Sequence, residues 1–180
     1  MFVQTEVTPN PNSLKFIPGR KVSECGPVEI LDKKDTENKL VHNLLSINGV
    51  RGIFLYEDFL SVNKKNDIDW NDIKHIVISY INDFYSQGNE SIISVEKNII
   101  ENNNFSEIEK KIVDILESKI RPAVSRDGGD IVLSGFKDGV VTVKLKGSCS
   151  GCPSSTLTLK RGVENLLTHY IPEVKEVISI

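Results

Sequence analysis

Residues 89–104 read NESIISVEKNIIENNN, and this stretch limits what the chain can build more than any other. It follows a helix stop at Gly88, closes in three consecutive asparagines and stands just before Ser106-Glu107-Ile108-Glu109, an S-x-x-E signal. In such a capping box the serine and the glutamate each satisfy a backbone N–H at a helix start. The expected organisation is therefore a first domain over 1–88, a linker over 89–104 and a second domain over 105–180. A flexible coil of the linker's length spans about 20–24 Å. The isoleucine pairs at 92–93 and 99–100 argue against full disorder and point to a short helix or to docking on a neighbour. Each half holds fewer than about 90 residues, a size at which a bound metal or dimerisation adds needed stability.

The first half reads as mixed α and β. FVQTEV at 2–7 and SLKFI at 13–17 alternate as strands, with TPNPN at 8–12 as the turn between them, because its two prolines fix φ and favour extended neighbours. NKLVHNLLSI at 38–47 places Leu40, Val41, Leu44 and Leu45 at helical spacing, and Asn48-Gly49 stops that helix. VRGIFLYEDFLSVNK predicts two short strands with Glu57-Asp58 near the tip. Asp69 is placed to cap a helix over roughly 70–86, whose apolar face is Ile73, Ile76, Val77, Tyr80, Ile81 and Phe84. Trp70 reads as a core anchor at that helix start.

The second half predicts helix, strand, strand, loop, helix, strand. Ile108, Ile112, Ile115, Leu116 and Ile120 line the first helix, which Pro122 ends or kinks by disfavouring α geometry at Arg121. RDGGD at 126–130 reads as a tight turn, with holding the cysteine loop or a partner as the alternative role of its acids and glycines. DIVLSGF and GVVTVKLKG are strands joined by the hairpin signal Lys137-Asp138-Gly139. The final helix, roughly 154–170, is expected to bury Leu157, Val163, Leu166, Leu167 and Tyr170, and EVKEVISI forms the last strand. The fold class is α+β: two small mixed domains, the C-terminal one with an antiparallel or mixed three-stranded sheet.

Between the second strand and the last helix lies GSCSGCPSS, residues 147–155, with Cys149 and Cys152 in C-x-x-C spacing. The only other thiol is Cys25. Three cysteines make no even disulfide framework, so a reducing compartment is expected, where C-x-x-C means metal or redox chemistry. The start, MFVQTEVTPNPNSLKF, reads as a mature N-terminus rather than a signal or transit segment. A bacterial cytoplasm, or the mitochondrial matrix for a processed eukaryotic form, is the expected location. A net charge of -3 gives no global basic field for nucleic acid, and no apolar run reaches bilayer-spanning length.

The loop suits thiolates. A helix N-terminus favours anions and offers unpaired N–H groups. Gly147 and Gly151 let the backbone come close, and Lys146, Lys160 and Arg161 add positive charge, so depressed thiol pKa values are expected. A closed metal site usually takes four protein ligands. Along one helix, His169 stands about 25 Å beyond Cys152 and cannot complete the set. The simplest completion is the same loop of a second copy, giving four thiolates around one centre. All-sulfur ligation selects zinc, cuprous copper or iron–sulfur clusters. Spacing alone does not choose among these, nor against a thiol–disulfide role.

Two long stretches, IRPAVSRDGGDIVL at 120–133 and KGSCSGCPSSTLTLKRGVENLL at 146–167, resemble the C-terminal domain of the NifU-like, or Nfu, family of iron–sulfur cluster scaffolds and carriers. QTEVTPNPNSLKF at 4–16, GVRGIFLYEDFLSV at 49–62 and Asp69-Trp70 resemble the family's N-terminal domain. The resemblance covers about the whole chain except the linker. It implies that Cys149 and Cys152 bind a [4Fe-4S] cluster bridging two subunits of a homodimer. It further implies upstream cluster-assembly proteins as donors and apo iron–sulfur proteins as recipients. No catalytic residue, nucleic acid or membrane belongs to this picture. The N-terminal domain would serve docking, with no ligand of its own, and Cys25 matches no motif of the family. Zinc binding and dithiol redox chemistry remain the alternatives.

Overall fold

A computed structural model describes residues 2–94, 105–151 and 153–180, with the side chains of 153–155 outside that description. Ile99 and Ile100 fall outside it as well. The chain is α+β and divides into two compact units, Met1–Glu96 and Lys97–Ile180.

The first unit is a five-stranded antiparallel sheet with two helices. Its strands are β1 (Gln4–Val7), β2 (Ser13–Ile17), β3 (Val28–Ile30), β4 (Val50–Leu55) and β5 (Leu60–Lys64), in the order β1-β2-β5-β4-β3. The helices are α1 (Lys39–Ser46) and α2 (Trp70–Ser86). Strand alternation sends Leu14, Phe16, Ile53, Leu55, Leu60 and Val62 to one face. They share a core there with Leu40, Val41, Leu44 and Leu45 of α1 and with Val77 and Ile81 of α2. Asn38 caps α1 by accepting from the Val41 N–H, and Asp69 caps α2 by accepting from the Asn71 N–H. Trp70 packs its ring edge toward Phe16 and donates its indole N–H to the Pro11 carbonyl at 3.0 Å.

Two features of this unit depend on distant partners. β3 is three residues long, and it forms because β4 offers it an antiparallel partner, Ile30 opposite Ile53. Ile92, expected in the linker, is only 4% exposed and belongs to the first unit's core. The N–H groups of Ile92 and Ile93 both donate to the Val22 carbonyl, and Ile93 bridges Ser23. Of the two readings of this isoleucine pair, the structure shows docking.

Tyr85 lies on the buried side of α2 and donates its hydroxyl to the Lys21 carbonyl at 2.7 Å. Burial pushes its pKa up to about 12, against a smaller lowering by Arg20. The unfolded chain releases this proton near pH 10 while the folded one still holds it. The contribution is thus complete below pH 10 and is lost as pH rises toward 12. Urea unfolding followed by the fluorescence of the single tryptophan should show the first unit weakening over that interval. Tyr85→Phe should remove that part of the dependence; an unchanged slope would show that Tyr85 does not cause it.

The second unit begins with the expected capping box, in which the Ser106 and Glu109 side chains each take the other's backbone N–H. The helix does not stop at Pro122. It runs as α3 (Glu107–Ile115), a wider π turn over Leu116–Ile120, and α4 (Arg121–Arg126). Pro122 stands in the first turn of α4, where no N–H is needed. The π turn takes up the interruption in the hydrogen-bond ladder. β6 (Gly129–Lys137) and β7 (Val140–Gly147) pair antiparallel across Asp138 (φ 53°) and Gly139 (φ 87°). Both residues are left-handed, as an Asp-Gly hairpin turn requires. α5 (Pro153–Tyr170) then carries the chain over to β8 (Glu176–Ser179), which pairs parallel with β7. A parallel neighbour demands such a crossover.

The register of α5 corrects two expectations. Leu157 and Tyr170 are 54% and 50% exposed. The inward stripe is Leu159, Val163 and Leu167, continued by Ile171, and two residues from Leu159 lies the other side of the helix. The seating is fixed from outside the helix, since Glu164 accepts the Val177 N–H of β8 at 2.9 Å.

Candidate functional site: the cysteine loop

β7 ends at Gly147 and α5 begins at Pro153, so the cysteine loop is the strand-to-helix turn of a β-α-β crossover. Gly147 (φ 64°) and Gly151 (φ 74°) are both left-handed, which turns the chain back twice within five residues. A side chain at Gly151 would meet nothing within 4 Å, so its glycine serves the backbone angle and not a close approach. The Ser150 N–H closes the turn on the Gly147 carbonyl at 3.1 Å.

Cys149 points inward. It is 6% exposed and packs with Ile112, Val143, Leu145 and Val163 in the second unit's core. Cys152 lies outside the described residues. Cys25 is exposed in the first unit, with its sulfur 3.6 Å from the Ser23 hydroxyl. Among the described residues, no three His, Cys, Asp or Glu side chains gather as a metal site. Lys160 directs its ammonium to Glu176 at 3.9 Å. Lys146 lines a cavity of about 230 Å³ with Arg121, Glu117 and apolar residues of α3 and β6.

The DGGD segment keeps part of the turn reading, and it holds the cysteine loop through backbone carbonyls rather than through its acids. Only Asp127 and Gly128 form a turn, Gly128 at φ 83°, while Gly129 and Asp130 already belong to β6. The turn holds the cysteine loop. Ser148 donates its N–H to the Gly128 carbonyl at 3.1 Å and its hydroxyl to the Asp127 carbonyl at 2.5 Å. Asp130 is wholly buried and accepts a two-pronged contact from Arg121, Nε to Oδ1 at 2.8 Å and Nη2 to Oδ2 at 3.0 Å. The other arm of Arg121 reaches Glu117 at 3.1 Å. Gly129 sits beneath Cys149: a methyl group there would stand 2.7 Å from Sγ. The sequence held one signal for this contact, the consecutive glycines between two aspartates, but a close approach between residues twenty apart is a tertiary fact.

These features define a class: a two-unit α+β protein with paired cysteines at a strand-to-helix turn of its C-terminal unit. Residues 3–88 match the family model described as the N-terminal domain of the scaffold protein Nfu/NifU, and residues 112–178 match the NifU-like domain. The chain is 43% identical to the human NFU1 iron-sulfur cluster scaffold homolog, mitochondrial, over 100% of its own length and 72% of the relative's. With NifU-like protein 4, mitochondrial, of Arabidopsis thaliana it shares 41% identity over 98% of its own length and 65% of the relative's. A solution structure of a NifU-like protein from Saccharomyces cerevisiae aligns at a TM-score of 0.48 and 27% identity, over 53% of this chain and 87% of that one. The chain belongs to the Nfu/NifU-like family.

Proposed function

We propose that this protein is an iron–sulfur cluster scaffold and carrier rather than a catalyst. Once Cys149 turns out of its buried seat, Cys149 and Cys152 of two copies would together hold one [4Fe-4S] cluster as cargo and pass it to apo-proteins. The observation that carries this reading is the seat of Cys149 at the strand-to-helix turn of the NifU-like domain. Relatives matched over the whole chain, the human one among them, bear the scaffold name. Two thiolates from each of two copies make the four ligands that such a cluster takes. A two-fold axis supplies them without any further residue type. Transfer is ligand exchange: recipient thiolates bond to iron, the Cys149 and Cys152 thiolates leave, and no electrons move. Upstream assembly proteins would load the site by the same exchange. The first unit, with no ligand of its own, would serve docking. A reducing compartment, a bacterial cytoplasm or a mitochondrial matrix, keeps the thiols available.

Anaerobic reconstitution of the full chain with iron and sulfide tests this. The expected product is a brown dimer with about four irons per dimer, matching the four-thiolate count. Cys149→Ala and Cys152→Ala should each abolish loading while leaving the far-UV spectrum unchanged. A colourless protein that takes up only zinc would overturn the cluster reading. Insulin reduction by the dithiol form would favour redox chemistry instead.

A further inference from the structure

We propose that Gly129 is a positioning residue for Cys149, and that the Arg121–Asp130 ion pair keeps it in place. The functional side of this proposal rests on the scaffold reading above. Gly129 needs no unusual φ to explain it, since among the described glycines those with positive φ lie elsewhere. What sets it apart is crowding. A Cβ would stand 2.7 Å from Cys149 Sγ, 2.7 Å from the Lys146 carbonyl oxygen and 3.1 Å from the Cys149 backbone nitrogen. Two of the three obstacles belong to Cys149 itself, and two are backbone atoms that cannot swing aside. The sulfur therefore rests against bare backbone, and its depth in the core is set by the missing side chain.

That backbone is fixed from both sides. Gly129 pairs with Gly147 at the end of the β6–β7 ladder, so the strand position cannot slide without moving the loop. One residue on, the buried Asp130 carboxylate is gripped by the Arg121 fork, which ties the start of β6 to the start of α4. A bidentate guanidinium contact fixes orientation as well as distance. Between these ties the Asp127 and Gly128 carbonyls hold Ser148, the residue before the ligand. Arg121, Asp130, Gly129 and Ser148 thus form one connected path that ends at the Cys149 sulfur.

Loss of the path should uncover the sulfur before it unfolds the unit. The measurement is alkylation of Cys149 by iodoacetamide in the full chain carrying Cys25→Ser and Cys152→Ser, well below the melting temperature. Gly129→Ala should raise the rate by about tenfold or more, because the local opening that exposes the thiol becomes easier. Arg121→Lys, which keeps the charge and loses the fork, should raise it less. Val177→Ala is the control. Val177 pairs with Val141 at the far end of β7, and it truncates the same core without touching the path. A Gly129→Ala rate no higher than the Val177→Ala rate would overturn the proposal, because loss of general stability would then account for it. In the chain with both ligand cysteines intact, Gly129→Ala should also release loaded iron to a chelator several-fold faster than Val177→Ala does; equal release would remove its role in cluster retention. A parent chain that never loads iron would instead bring down the scaffold reading, and the alkylation comparison would still decide the position of Cys149.

Discussion

Asp130→Ala should cost the second unit about 3–5 kcal/mol, the range for removing one partner of a buried ion pair. The Asp130 side chain is 0% exposed and that of Arg121 22%, so the loss should fall toward the lower end. The cost does not measure the attraction between the two charges. It arises because the guanidinium stays largely buried beside a vacated site, with Glu117 still on its other arm. Asp130→Asn, which keeps an acceptor for one arm, should cost less. Denaturant unfolding followed by far-UV circular dichroism would read the change. The fluorescence of Trp70, which lies in the first unit, should keep its midpoint and serve as the internal reference. A loss below about 1 kcal/mol, the value of an exposed pair, would show that the contact does not hold β6 to α4.

Phe16→Ala should be the matching change in the first unit, at about 3–5 kcal/mol for a wholly buried phenylalanine. Phe16 is 0% exposed in the second strand from the sheet edge, and its ring lies 6.4 Å from that of Trp70 at 60°. The edge-to-face contact adds to the cavity term. Removing the ring should shift the Trp70 emission in the folded state as well as the unfolding midpoint. Because the two residues share one contact, Trp70→Phe and Phe16→Ala should be non-additive together. Additive losses would mean that the indole is held by the Pro11 carbonyl rather than by the ring.

Local signals located most of the fold and little of the site. The Ser106–Glu109 box, the Asp138-Gly139 hairpin and the Asp69 cap are contacts within a few residues, and each appears where the sequence places it. β3 and the docking of Ile92 depend on partners some 20–70 residues away, so no window of sequence holds them. The wrong seating of Leu157 has a similar cause, because the face that α5 buries is chosen by β8 and the core rather than by the helix's own pattern. At the loop, C-x-x-C and its glycines were visible as chemistry. The depth of Cys149, the glycine beneath it and the Arg121–Asp130 fork were not, since they join residues from α4, β6 and the loop.

The inward turn of Cys149 also decides how the unloaded chain meets oxidants. Thiol oxidation to sulfenic acid and beyond follows exposure and thiolate character. Of the two described cysteines, Cys149 is buried and Cys25 is on the surface. Peroxide therefore reaches the first unit's Cys25 before it reaches Cys149. An empty chain carries one sulfur of its proposed grip in a place where the oxidation ladder does not readily start.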